Sequence, residues 1–125
     1  MIDALIGQFV TCPSPMSGLL LEHFHGAATR VDVDGTAFAH RRESYNLLVV
    51  SQWLDPAEDE KNIAWARATY AALRPHLVRG AYANYESEDD AGTAYGPNQT
   101  RLVALKNKLD PTNLFHLNNN VRPTV

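Results

Sequence analysis

Cysteine, basic clusters, glycine-rich loops and long apolar runs are all scarce in this sequence, and each scarcity closes a class of function. A single cysteine, Cys12, among 125 residues excludes an internal disulfide and a zinc cluster built from thiolates. It stands beside Pro13 with no base indicated, so thiol nucleophile chemistry is not suggested either. No apolar run reaches the roughly 20 residues of a membrane-spanning helix. Eleven Lys and Arg against fourteen Asp and Glu leave a net charge of -3, and the basic residues are scattered rather than striped. That distribution does not make a nucleic-acid footprint. The opening "MIDALIGQFV" carries neither a basic start nor a cleavage site, which points to the cytoplasm. The sequon Asn98-Gln99-Thr100 would matter only in a secretory setting. No repeat, phosphate cradle or Ser-His-Asp grouping is present.

What remains is ordinary globular composition, 45% hydrophobic, sized for a single domain over residues 1–125. "GLLLEHFHG", Gly18 to Gly26, reads as a short buried strand between glycines. Asp34-Gly35 signals a turn. The run from Thr36 to Trp53 reads as the longest strand, with Tyr45, Leu47, Val49 and Trp53 on a core face. Its other face begins polar with His40, Arg42, Ser44 and Asn46, as the wall of a cleft would.

A helix opens at Asp55 as N-cap, with Pro56 at its first position and Glu58 three residues after the cap. Its apolar stripe is Ile63, Ala66, Tyr70, Leu73 and Leu77, and Pro75 should end it near Arg74. After Gly80 the segment "AYANYES" reads as a strand. A second helix starts at Pro97, carries Leu102, Leu105 and Leu109 on one side, and stops before Asp110-Pro111. The order strand, strand, helix, strand, helix predicts an α+β fold, a small antiparallel sheet covered on one face by two helices.

Two sets of residues carry chemistry. Tyr82 and Tyr85 are core residues, or one is a phenol whose pKa a neighbouring cation lowers until it serves as a base. Arg42, permanently charged, is the candidate cation. In a regular strand Tyr82 and Tyr85 face opposite sides, so sharing one pocket requires a bulge or the strand's end. His23 and His25 lie on one side of a strand, but two histidines without a third ligand do not make a metal site. Glu22 or His23 as a cleft residue is the better reading.

Beyond these signals, the ordered set "HGAATRV", "TAFAHRRESYNL", "AYANY", "YGPNQTRLVALKNKLDPTNLF" and "LNNNVRP" resembles the C-terminal, substrate-domain part of berberine bridge enzyme-like, FAD-linked oxidases, from about Leu19 to Pro123. The resemblance implies Tyr85 as catalytic base and Arg42 as a residue projecting into the active site. It implies Tyr82 and His40 as substrate contacts, with Glu22 a weaker candidate where the base is an acid on a neighbouring strand. Asn84, Asn118 and Asn120 would approach the flavin. The family's N-terminal FAD-binding segments have no counterpart here, so the expectation is that this chain does not hold FAD by itself.

Three readings follow. The chain is the substrate domain of an oxidase whose FAD is held by a separate domain or chain. Alternatively it is a flavin-free cyclase, isomerase or pericyclase, its exposed apolar surface hidden in a homodimer. The third reading is a non-catalytic binding domain.

Overall fold

The computed structural model describes residues 1–78, 94–117 and 119–125. The elements in chain order are α1 (Ile2–Phe9), β1 (Gly18–Phe24), β2 (Ser44–Val50), α2 (Asp59–Leu73) and α3 (Gln99–Leu109). Short 3₁₀ turns accompany them. The predicted α+β class holds. The predicted strand on "AYANYES" lies outside the described residues.

β1 and β2 form a two-stranded sheet. His23 stacks on Tyr45 and Asn46 bonds Glu22, so position rises along one strand as it falls along the other; the pair is antiparallel in a single register. β1 is not the buried strand its apolar run suggests, since Leu20 and Leu21 are 49% and 45% exposed. The long strand predicted from Thr36 is also shorter, beginning only at Ser44. The segment before it makes a different set of bonds. The Arg41 side chain donates to the carbonyls of Phe38 and Ala28, and the Ser44 hydroxyl donates to Arg42 O at 3.0 Å. Side chains that bond local backbone in this way compete with a strand ladder. Within β2, Tyr45 is exposed rather than core.

Two compact units are formed: Met1–His23 with Tyr45–Val78, and Phe24–Ser44 with the described residues of Arg79–Val125. In the first, α2 begins as its sequence signals require. The Asp55 carboxylate accepts from Ala57 N at 2.9 Å, a 3₁₀ turn covers Pro56–Glu58, and a second 3₁₀ turn at Arg74–His76 follows the last helical residue, Leu73. Its buried face differs from the predicted stripe. Asn62, Trp65, Thr69 and Leu73 are buried, whereas Ile63 and Tyr70 are exposed. The polar members of that face are tied by hydrogen bonds, although the Asn62 Oδ1 accepts none among the described residues. Asn62 donates to Glu58 O at 2.9 Å, and Thr69 donates to Gln8 Oε1 at 3.3 Å. The Trp65 indole N–H donates to Gln8 O at 3.1 Å. Gln8 belongs to α1, a helix the sequence reading did not anticipate, and it supplies both long-range acceptors for α2.

In the second unit, Gly96 takes a left-handed φ of 49° ahead of Pro97, and a 3₁₀ turn over Gly96–Asn98 leads into α3. Asn98 is 5% exposed and donates to Val33 O at 2.7 Å, so the sequon asparagine is a structural tie rather than an accessible glycan acceptor. α3 stops at Asp110 as predicted. That carboxylate accepts from Leu114 N at 2.7 Å, from Phe115 N at 3.1 Å and from Lys106 Nζ. Asn113 adopts a left-handed φ of 54° inside the turn, a conformation asparagine tolerates. The C-terminal tail is tied back to α3: Thr124 N donates to Asn107 Oδ1 at 2.8 Å, and Asn107 Nδ2 donates to Thr124 Oγ1 at 3.0 Å.

Candidate functional site

The described candidates fall into two groups, one in each unit. In the first, Glu22 on β1 and Asn46 on β2 face one another across the sheet, both half-buried, and Asn46 Nδ2 donates to Glu22 Oε2 at 2.8 Å. An amide donor to one carboxylate oxygen holds that carboxylate in a fixed orientation. On the opposite face, His23 and Tyr45 stack with ring centroids 4.5 Å apart and planes 14° from parallel. The β pleat explains the separation, because Glu22 and His23 are successive residues and so point to opposite faces. The sequence reading offered Glu22 or His23 as a cleft residue without separating them. The structure gives each its own face and its own partner.

In the second unit the segment 36–43 carries His40 and Arg42. His40 is half-buried and meets the Phe38 ring edge-on, centroids 5.5 Å apart at 66°; Phe38 in turn meets Phe24 at 5.8 Å and 74°. Arg42 is exposed and lies before β2, so strand alternation does not govern its direction. The firmly held guanidinium is its neighbour Arg41, which lies over Phe38 at 4.7 Å and donates to Ala28 O at 2.8 Å and Phe38 O at 3.1 Å. Sequence reasoning passed over Arg41 because it assumed a strand there. The pair of arginines in "HRR" is the available signal, and strand alternation carries no information on which of the two is held by local backbone.

Asn120 is half-buried, and its Oδ1 is buried with no hydrogen-bond partner among the described residues. An orphaned acceptor of that kind costs free energy unless a donor meets it. The side-chain oxygens of Asn62, Gln99 and Asn113 are buried without a partner in the same way, so the orphaned acceptor does not by itself mark Asn120 as a ligand contact. Tyr82, Asn84, Tyr85 and Asn118 lie outside the described residues. Among the described residues no three of His, Cys, Asp and Glu are grouped to hold a metal ion, and no helix is long and apolar enough to cross a membrane.

The Asp110 carboxyl is held below the usual carboxylate range. The hydrogen bond from Lys106 lowers its pKa, the amides of Leu114 and Phe115 lower it further, and burial works against them. Its place at the end of α3 makes it a structural acid.

The family described as "Berberine and berberine like" matches residues 81–122. Over 146 residues the chain is 30% identical to berberine bridge enzyme-like 23 of Arabidopsis thaliana, covering 99% of this chain and 27% of that protein. It is 28% identical over 127 residues to an FAD-linked oxidoreductase of Dictyostelium discoideum, covering 98% of this chain and 27% of that one. Among solved structures, a variant of Physcomitrella patens BBE-like 1 superimposes with a TM-score of 0.80 at 25% identity, over 98% of this chain and 26% of that one. The chain thus spans about a quarter of the length of the relatives it matches. Sequence and fold agree that it corresponds to the C-terminal part of the berberine bridge enzyme-like, FAD-linked oxidases.

Proposed function

We propose that the chain is the substrate-domain portion of an FAD-linked oxidase of small molecules, working in the cytoplasm with FAD held by a separate domain or chain. The observation that supports this reading is that Tyr82, Asn84, Tyr85, Asn118 and Asn120 all fall inside the segment matched by the berberine-like family. When bound, a flavin supplies the acceptor for the hydride that leaves the substrate carbon. The chain's own part is acid–base chemistry and orientation. Tyr85, as phenolate, takes the proton from the oxygen of an alcohol as its carbonyl forms. Arg42 favours the phenolate by its permanent charge. Tyr82 and His40 hold the substrate, and Glu22, whose carboxylate the Asn46 amide keeps directed, is the weaker, alternative acid–base candidate. Asn84 would hold the flavin's polar edge, and Asn118 and Asn120 would approach the flavin.

The test is a graft. This chain replaces the matching quarter of the Arabidopsis relative, and flavin bleaching is followed anaerobically with a panel of alcohols. A yellow, folded graft should bleach with at least one alcohol, and Tyr85→Phe should slow bleaching by about 10²- to 10⁴-fold, the usual worth of a positioned base. Equal rates with and without the Tyr85 hydroxyl would overturn the assignment. The flavin-free reading is favoured instead if the chain alone, with no retained flavin colour, converts a substrate without consuming oxygen.

A further inference from the structure

Arg41 is a half-buried cation that, among the described residues, has no carboxylate partner. Its donors go to Ala28 O at 2.8 Å, to Phe38 O at 3.1 Å and to the Thr36 hydroxyl, and its guanidinium lies 4.7 Å from the centre of the Phe38 ring. Thr36 Oγ1 also accepts from Phe38 N at 3.3 Å. Partly burying a charge against neutral acceptors is costly, so the arrangement is expected where it fixes something else. The group it fixes is Phe38, gripped through its carbonyl, its amide's acceptor and its ring face. Phe38 meets the edge or face of two other rings, Phe24 and His40. His40 is the only one of the three with an ionisable, hydrogen-bonding head.

We infer that Arg41 is a positioning residue for His40: it locks Phe38, and the edge-on Phe38 ring is one of the contacts that orient the imidazole. The value of this to catalysis rests on the reading of His40 as a substrate contact, but the positioning does not. Arg41 acts on His40 only through Phe38. Its planar fork is essential, because one ammonium cannot serve two carbonyls, a hydroxyl and a ring face together. Arg41→Lys therefore keeps the charge and loses the function.

The experiment is NMR of the whole chain with labelled histidine side chains, in the absence of flavin and substrate. In the native protein His40 should show cross-relaxation to the Phe38 ring and a ring-current displaced Hε1 signal. Arg41→Lys should move that signal toward the free-histidine position and remove the cross-relaxation. His23, stacked on Tyr45 in the other unit, is the internal control and should not move. Phe38→Leu should reproduce the change, and the double variant should add nothing to it. An unchanged His40 signal in Arg41→Lys overturns the inference. So does a joint movement of His23 and His40, which would make Arg41 a general anchor of the fold. If His40 follows Arg41 while His40→Ala leaves the graft's oxidation rate intact, the positioning stands and the substrate-contact reading falls.

Discussion

Arg41 and Arg42 are adjacent and chemically identical, yet the fold ties one to two carbonyls, a hydroxyl and a ring and leaves the other exposed. Residue type alone could not separate them. The same holds for Glu22, whose partner Asn46 is 24 positions away and was visible only as a polar residue in an apolar strand. Asn46→Leu should remove the donor and leave a half-buried carboxylate less well satisfied, lowering stability by about 1 kcal/mol in a urea titration. Asp110 is legible more directly, because Asp-Pro after a leucine-rich helix is a stop signal in its own right. Its pKa is lowered by folding, so the stabilisation it supplies is fully present above its unfolded value near 3.8 and is lost as pH falls through the lower folded value. Asp110→Asn should therefore depress Tm at neutral pH, and its difference from the native protein should shrink as the solution is acidified. A difference that stays constant with pH would show that the carboxylate's charge is not what stabilises the turn.

At the scale of elements, ends were better predicted than faces. Asp55, Pro56 and Pro75 mark the limits of α2 because caps and prolines act through bonds a few residues away. Asp55→Ala should cost about 1 kcal/mol, read as a lower denaturation midpoint with an unchanged slope. Which side of α2 is buried depends instead on α1. Trp65 and Thr69 both reach Gln8, so a face containing Asn62 and Thr69 is buried in preference to one containing Ile63 and Tyr70. Trp65→Ala removes most of the apolar volume from that contact and should cost about 3 kcal/mol or more. The Asn107–Thr124 pair gives the C-terminal tail a specific tie that its aperiodic sequence did not announce. Asn107→Ala should release the tail, seen as faster amide exchange near Thr124 while α2 stays protected.

At the scale of the whole molecule, the notable quantity is how little apolar surface is fully covered. Among the described residues, Trp65, Leu73 and Ala94 are the buried apolar side chains, whereas Ile2, Ile6, Phe9 and Val10 on and after α1 are each more than half exposed. Leu109, Leu114, Phe115 and Leu117 are exposed by 70% or more. Apolar exposure on this scale promotes association. The isolated chain should bind an apolar dye and show a mass that rises with concentration in light scattering. Ile6→Glu with Phe9→Glu should reduce both signals without altering the α2 cap. A strictly monomeric, dye-negative chain would contradict the reasoning from exposure.

The limits of α2 and α3, the α+β class and the family likeness are written in the sequence, because these rest on caps, prolines, turn residues and ordered motifs within short spans; α1, which has no such signals, is not. Only the tertiary structure decided which face of α2 is buried, where β2 begins, and which arginine is held. Each of those depends on a partner distant in sequence: Gln8 for Trp65, 57 positions away, Glu22 for Asn46, and the Ala28 carbonyl for Arg41. A polar side chain becomes a good core residue only when its hydrogen-bond partner arrives, and no local pattern records that arrival.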